Sequence, residues 1–354
     1  MKNYNLVTGD GNELDFDRAL GGWLPPQPRS EEQESVSDWY SAGFRNDVQM
    51  RATDEYHERI GNLEDVVSYG DDIPEHWLSI PVEVAATGST LPRVRQSIGS
   101  CCGAAGGFSY QLQGAIECVA GDHEAVKLPF FPFTWGVGRG IGFGPNVRRG
   151  DGSFGSAQAK AVQQVGQLPH DWTRHELPDP AILNGWARWS STVEREWSAP
   201  RQFPIDVETL EPYSKKYAIE TAKKVNDVDA LAGALARGLT ATAASMYGFS
   251  PRVVERHGVR ILEAAWSRRW AHQMSVTSYL WRGEYFLIQN QWGNSHGICP
   301  YVREVCQSLD APVVNGCAWC PRDDMAKIIR TGEVYVHQRT GGFDPPILDY
   351  QLTV

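Results

Sequence analysis

The chain has 354 residues, 42% of them hydrophobic and 21% charged, the composition of a folded chain and not of a collagenous or wholly disordered one. No run of about 18 apolar residues is present, which excludes a membrane-spanning helix. The formal charge of −10 sits at one end: residues 1–72 carry 16 Asp and Glu against 6 Lys and Arg, while residues 73–354 carry 27 of each, so a chain-wide basic footprint for nucleic acid is missing.

In chain order, residues 1–72 read as an acidic arm, broken by Pro25, Pro26 and Pro28 and followed by the Ser30–Glu34 charge run. A helix is expected near Asp54–Val67; the competing reading is a solvated tail. Met1–Asp17 lacks the charged-then-apolar plan of a signal peptide, so a cytosol-like compartment or the inside of a viral particle is expected. From Ile73 the character changes. Leu78, Ile80, Val82 and Val84 alternate as in a strand. Cys102–Val119 is expected to be a helix, from Leu112, Ala115, Ile116 and Val119, although Gly103, Gly106 and Gly107 weaken its start. Residues 129–156 look like a Pro-, aromatic- and Gly-rich loop, and Ala157–Val165 like a short helix closed by Gly166 and Pro169. Asp227–Leu239 reads as a helix and Thr240–Tyr247 as a strand. Gln273–Trp281 alternates, Arg282-Gly283 offers a two-residue turn, and Glu284–Gln289 returns as the second strand of a hairpin. A helix over Arg322–Thr331, a strand over Glu333–His337 and an extended tail over 339–354 complete the chain.

Seven cysteines, an odd number in a long chain, argue for reduced thiols over a disulfide framework. Cys102 stands at an expected helix start, where free N–H groups and the helix dipole favour a thiolate; a small buried core residue is the competing reading. A thiol nucleophile needs an imidazole, first to form the ion pair and then to protonate the leaving amine. His272 and Asn290 lie at the outer ends of the two hairpin strands, and a bulge would let them meet. An amide oxygen beside an imidazole fixes its tautomer, and Trp292, two residues on, could shield that bond from water.

These segments resemble the papain-like cysteine peptidases of the C1 type. The family's Gln, five residues and nucleophilic Cys are matched by Gln96-Ser-Ile-Gly-Ser-Cys-Cys102. Its His strand is matched by His272–Tyr279, its Asn-Ser-Trp-Gly by Asn290-Gln-Trp-Gly293, and its glycine-rich subsite segment by Gly150–Ser156. The resemblance covers about residues 73–338 and implies an α+β, two-lobed papain-like fold, a helical lobe with the nucleophile and an antiparallel β lobe with His and Asn. It further implies Cys102 as nucleophile, His272 as base and acid, Asn290 as orienter, and Gln96 in an oxyanion hole with the Cys102 N–H. Gly152, Ser153 and Trp292 would line the substrate site, the first two offering backbone groups to an extended peptide. Departures are Gly103 where the family has Trp, Ala271 before the His, Cys101 beside Cys102, which leaves the nucleophile ambiguous by one position, and a Cys-containing insertion after Gly293.

The expected activity is a thiol peptidase acting on peptides or proteins through an acyl-enzyme, without cofactor or metal. Two other readings stand beside it: a structural component of a large assembly such as a phage particle, contacting neighbouring chains through 1–72 and 340–354, and a papain-like amidase or cell-wall hydrolase. Gly150–Gly155 also fits a dinucleotide fingerprint, but no strand signal precedes it. Cys317-Ala-Trp-Cys320 has knuckle spacing for zinc, with His296 nearby, yet Cys299 and Cys306 do not form a second such pair.

Overall fold

The computed structural model describes residues 73–93, 96–120, 126–144, 151–169, 191–219, 221–292 and 297–338. The acidic arm with its expected helix, the tail after 338, and Gly150, Gly293 and His296 lie outside them. Six helices come first: α1 (Ser79–Thr87), α2 (Cys101–Ala120), α3 (Phe131–Phe143), α4 (Gly155–Gln164), α5 (Ser191–Glu196) and α6 (Val207–Ser214). A sheet region follows: β1 (Thr221–Lys224), α7 (Val228–Ala236), β2 (Thr240–Arg256), β3 (Val259–Leu280), β4 (Tyr285–Gln289), α8 (Pro300–Ser308), β5 (Cys317–Pro321), α9 (Arg322–Thr331) and β6 (Glu333–Gln338). The strand order is β1-β6-β2-β3-β4-β5, antiparallel between neighbours, and the sheet curls until Glu263 of β3 meets Trp319 of β5 in a parallel pairing.

Helix α2 is the hinge of the architecture because three of its faces pack against three different elements. Ser275 Oγ on β3 donates to Ala105 O at 2.9 Å, and Ser109 Oγ donates to Ala241 O on β2 at 2.9 Å. On the next row, a Cβ at Gly106 would lie 3.5 Å from Gln158 of α4. On the third row, a Cβ at Gly103 would lie 2.4 Å from Trp135 Cβ, and one at Gly107 2.9 Å from Phe131 Cβ, both on α3. Each glycine costs about 1 kcal/mol of helix propensity against alanine, and the close approach of α3 is what requires two of them. Phe108, Leu112, Ala115 and Ile116 join the main core with Ala241, Met274, Val276 and Phe286 of the sheet.

Four expectations change. The alternating segment after Trp77 is helix α1, ended by Gly88 at φ +74°; only Trp77 itself bridges to the sheet, opposite Tyr279. Four residues of alternation are too few to decide period, and burial of Ile80, Val82 and Glu83 is satisfied by the helical one. The Gly-rich segment after residue 129 contains α3, with Pro132 in its first turn. Its glycines are contact residues: a Cβ at Gly136 would fall 2.0 Å from Trp197 O. The strand expected to end at Tyr247 runs on to Arg256 and turns through His257 and Gly258, both at positive φ, into β3. The β3–β4 turn is longer than two residues, since Leu280 and Tyr285 are the last pair and Trp281, Arg282 and Gly283 all have positive φ. The helix near 157–165, the Asp227 N-cap (Ala230 N–H to Asp227 Oδ1, 2.7 Å), the Arg322–Thr331 helix and the final strand are present as the sequence predicts.

Candidate active site

The loop Gln96–Ser100 delivers the chain into α2 beside the end of β4. The Gln96 N–H donates to Gln291 O at 3.0 Å, which ties the loop to the segment Asn290–Trp292. On β3, His272 pairs with Ser245 of β2, next to a register shift in β2. The β3–β4 ladder also shifts, between Val276 and Ser278, which puts Asn290, just past the Ser275–Gln289 pair, on the same face as His272 and diagonal to it. His272 Nε2 and Asn290 Oδ1 are 3.0 Å apart. An amide oxygen only accepts, so Nε2 carries the proton. The Asn290 backbone is held in turn by Gly316 O at 2.9 Å. Trp292 lies over the imidazole, ring centroids 4.3 Å apart and planes 31° apart, and both rings are buried. His272 Nδ1 is buried and makes no regular hydrogen bond among the described residues, so it is the nitrogen left for a reacting partner.

The thiol bonded beside His272 is that of Cys101, one residue before the Cys102 that the spacing from Gln96 singles out. The Gln273 N–H, one residue past His272, donates to Cys101 Sγ at 3.3 Å, while the Cys102 thiol points to Ser153 O at 3.5 Å. The reason is helical phase. Adjacent residues project about 100° apart, so Cys101 shares the sheet-facing row with Ala105 and Cys102 shares the α4-facing row with Gly106. Burial pushes the Cys101 thiol up, but the Cys102 thiol donating to it, the charge and hydrogen bonding of His272 and the Gln273 N–H outweigh that and bring it below the ordinary range. Burial, the bond given to Cys101, the charge on Cys101 and that on Glu333 all push Cys102 up. The two neighbouring thiols are thus pushed in opposite directions, Cys101 down and Cys102 up.

The other expected residues fall around this pair. Gln96 is buried, and its Nε2 gives one proton to Ile98 O at 2.9 Å and keeps a second. Gly152 and Ser153 run beside Cys102 into α4. Two carboxyl groups nearby were not indicated by any motif. Glu333 accepts from the Gly155 and Ser156 N–H groups, each at 2.9 Å, at the N-terminus of α4. That carboxylate fills the place where a dinucleotide fingerprint would hold a phosphate. Glu194 on α5 is buried beneath the Gln96–Ser100 loop and accepts from Ser97 N–H at 2.5 Å, Ile98 N–H at 3.3 Å and Ser100 Oγ. Burial, against the pull of those bonds, raises its carboxyl to about 8. Cys299, Cys306 and Cys317 lie in an apolar cluster with Leu78 and Trp319, Cys320 lies in the main core, and among the described residues no three His, Cys, Asp or Glu are grouped to hold a metal. Within the same limits no helix is long and apolar enough to cross a membrane.

No protein-family model matches the sequence, and no curated protein matches it significantly. Solved structures do match its fold. Xylellain, a cysteine protease from Xylella fastidiosa, superposes with a TM-score of 0.50 at 16% identity, over 92% of this chain and 97% of that one. Procathepsin B S9 from Trypanosoma congolense gives 0.46 at 10% identity, over 94% and 91% of the two chains. Digestive procathepsin L2 from the Tenebrio molitor larval midgut gives 0.46 at 14%, over 87% and 89%. With helices first, a curled antiparallel sheet after them and α2 packed between α3, α4 and the sheet, the chain has the papain-like cysteine protease fold, of class α+β.

Proposed function

We propose that the protein is a cysteine peptidase that cleaves peptide bonds through an acyl-enzyme, with Cys101 as nucleophile, His272 as acid and base, and Asn290 as the group that orients the ring. The observation that carries this reading is the imidazole held at Nε2 by Asn290 Oδ1, on the strand whose next residue, Gln273, gives its N–H to Cys101 Sγ. In the resting ion pair the proton sits on His272 Nδ1. Cys101 Sγ attacks the substrate carbonyl carbon, a C–S bond forms and the carbonyl π electrons move to oxygen. The Cys101 N–H, at the start of α2, and the second proton of Gln96 Nε2 are the donors for that oxyanion. Collapse breaks the C–N bond, and His272 Nδ1 gives its proton to the leaving amine. Water then attacks the thioester as Nδ1 takes its proton, and the released acid restores the ion pair. Gly152 and Ser153 would pair with the backbone of an extended peptide, and Trp292 keeps water off the His272–Asn290 bond.

Labelling with a thiol-reactive peptide electrophile tests the assignment. Cys101→Ala should abolish labelling and peptide turnover, and Cys102→Ala should retain both. Retained labelling in Cys101→Ala with loss in Cys102→Ala would return the role to the position that the Gln96 spacing favours. A wild-type protein that takes no label and turns over no peptide sinks the peptidase reading itself.

A further inference from the structure

The proposed oxyanion donors stand at the two ends of one short loop. Gln96 supplies its side-chain amide at the start and Cys101 its backbone N–H at the end. What lies between, Ser97 to Ser100, belongs to no helix or strand, and its internal support is the Ser100 N–H to Ile98 O bond at 2.7 Å and the Gln96 Nε2 bond to the same oxygen. The distance between the donors therefore depends on what grips the loop from outside. At Gln96 that grip is the bond to Gln291 O, and over Ser97–Ser100, among the described residues, it comes from one side chain. Both oxygens of Glu194 are turned to the loop, one taking the Ser97 N–H and the other the Ile98 N–H and the Ser100 hydroxyl. Ser100 precedes the first residue of α2, and its hydroxyl, in a position where it would ordinarily cap the helix, is spent on Glu194 instead. Glu194 itself reaches the site from α5, which is anchored by the following Trp197, fully buried among Phe130, Phe133 and Phe203.

We propose that Glu194 is a positioning residue for the oxyanion hole: its carboxyl group sets the curvature of Ser97–Ser100 and hence the separation of the Gln96 amide from the Cys101 N–H. It touches neither substrate nor thiol and acts through the loop. The inference rests on the peptidase reading above. It differs from a plain stability role in what it leaves untouched. The Cys101–His272 ion pair is built from β3 and Asn290, so thiolate formation does not pass through Glu194. Transition-state charge on the carbonyl oxygen does.

Two rates separate the roles: alkylation of Cys101 by a small neutral haloacetamide, which needs the thiolate alone, and kcat for a chromogenic peptide, which needs the oxyanion hole. Glu194→Ala should lower kcat by roughly 10²-fold, the scale of losing one oxyanion donor, with KM and the alkylation rate within about twofold of wild type. Glu194→Gln keeps an acceptor for the Ser97 N–H and a polar group facing Ser100, and should recover part of kcat. If Glu194→Ala does not fold, Ser100→Ala removes one of the three bonds and should lower kcat several-fold with alkylation unchanged. Turnover within twofold of wild type in the folded variants overturns the proposal while leaving the peptidase reading intact. Alkylation and kcat falling together, with Glu194→Gln no better than Glu194→Ala, also overturns it in favour of general support. A wild-type protein without turnover overturns both.

Discussion

Replacing Cys102 by alanine probes the division of labour between the two thiols. The substitution removes a weak S–H donor to Cys101 and a side chain that points at Ser153 O, and leaves the His272 and Gln273 contacts in place. A hydrogen bond to a charged group is worth about 1.5–3 kcal/mol, and a thiol is among the weaker donors. The lower end of that range corresponds to about one pKa unit. The Cys101 thiolate should therefore titrate about one unit higher in Cys102→Ala, and below that midpoint alkylation should be roughly tenfold slower than in wild type at the same pH. The assay is the rate of iodoacetamide modification against pH, read by mass at Cys101. The sign follows from the chemistry: only the thiolate reacts, so losing a group that stabilises it moves the reactive limb to higher pH. A midpoint that stays put or moves down in Cys102→Ala would refute the shared-proton account. A low-pH limb that survives in Cys101→Ala would refute the assignment of the thiolate itself.

Three further outcomes are expected. Asn290→Ala leaves the His272 Nε2–H without its acceptor and frees the ring to turn or change tautomer; kcat/KM for a peptide substrate should fall by roughly 10²-fold, and an unchanged value would remove Asn290 from the machinery. Gly103→Ala would place a methyl 2.4 Å from Trp135 Cβ between two packed helices, and should cost about 1–3 kcal/mol, seen as a Tm lowered by several degrees; an unaltered Tm would mean that α2 and α3 are not so closely packed. The Glu194 carboxyl is raised by burial to about 8 in the folded protein, against about 4.3 in an unfolded chain. The folded state therefore holds the proton more tightly; this contribution is fully present below the lower value and lost as pH rises to about 8. The urea midpoint of wild type should decline across that window relative to Glu194→Gln, and parallel curves for the two proteins would contradict the raised value.

Much of the sheet region is written in local signals. The Asp227 cap, the alternation on both sides of the Arg282-Gly283 turn and the strong amphipathy of Arg322–Thr331 each decide an element from its own residues. The His272–Asn290 pairing was readable because the hairpin turn lies between the two residues and fixes which of them meet, needing only the bulge found at Val276–Ser278. The helical region is less legible, and for a physical reason. In α3 the glycines that read as loop are there because Trp197 O, Pro200 and Gln158 press against the helix, a demand that no window of local sequence records. Glu194 had no signal of its own. It is a single acid among charged neighbours, and its role comes from which loop it lies beneath.

The choice between Cys101 and Cys102 is the sharpest instance. Counting residues from Gln96 fixes a position along the chain, but a helix converts position into direction, and a shift of one residue turns a side chain by about 100°. Direction is set by the rows that α2 presents. Gly103 and Gly107 form the row against α3, Gly106 lies in the row against α4, and Ala105 and Ser109 have their bonds to the sheet. The first residue of the sheet row is Cys101, and the first of the α4 row is Cys102. The glycine spacing was available in the sequence and marks the close-packed faces by their lack of side chains. The Cys101 thiol, bonded beside His272 on its strand, lies on the row those glycines leave for the sheet, one residue before the position that the distance from Gln96 selects.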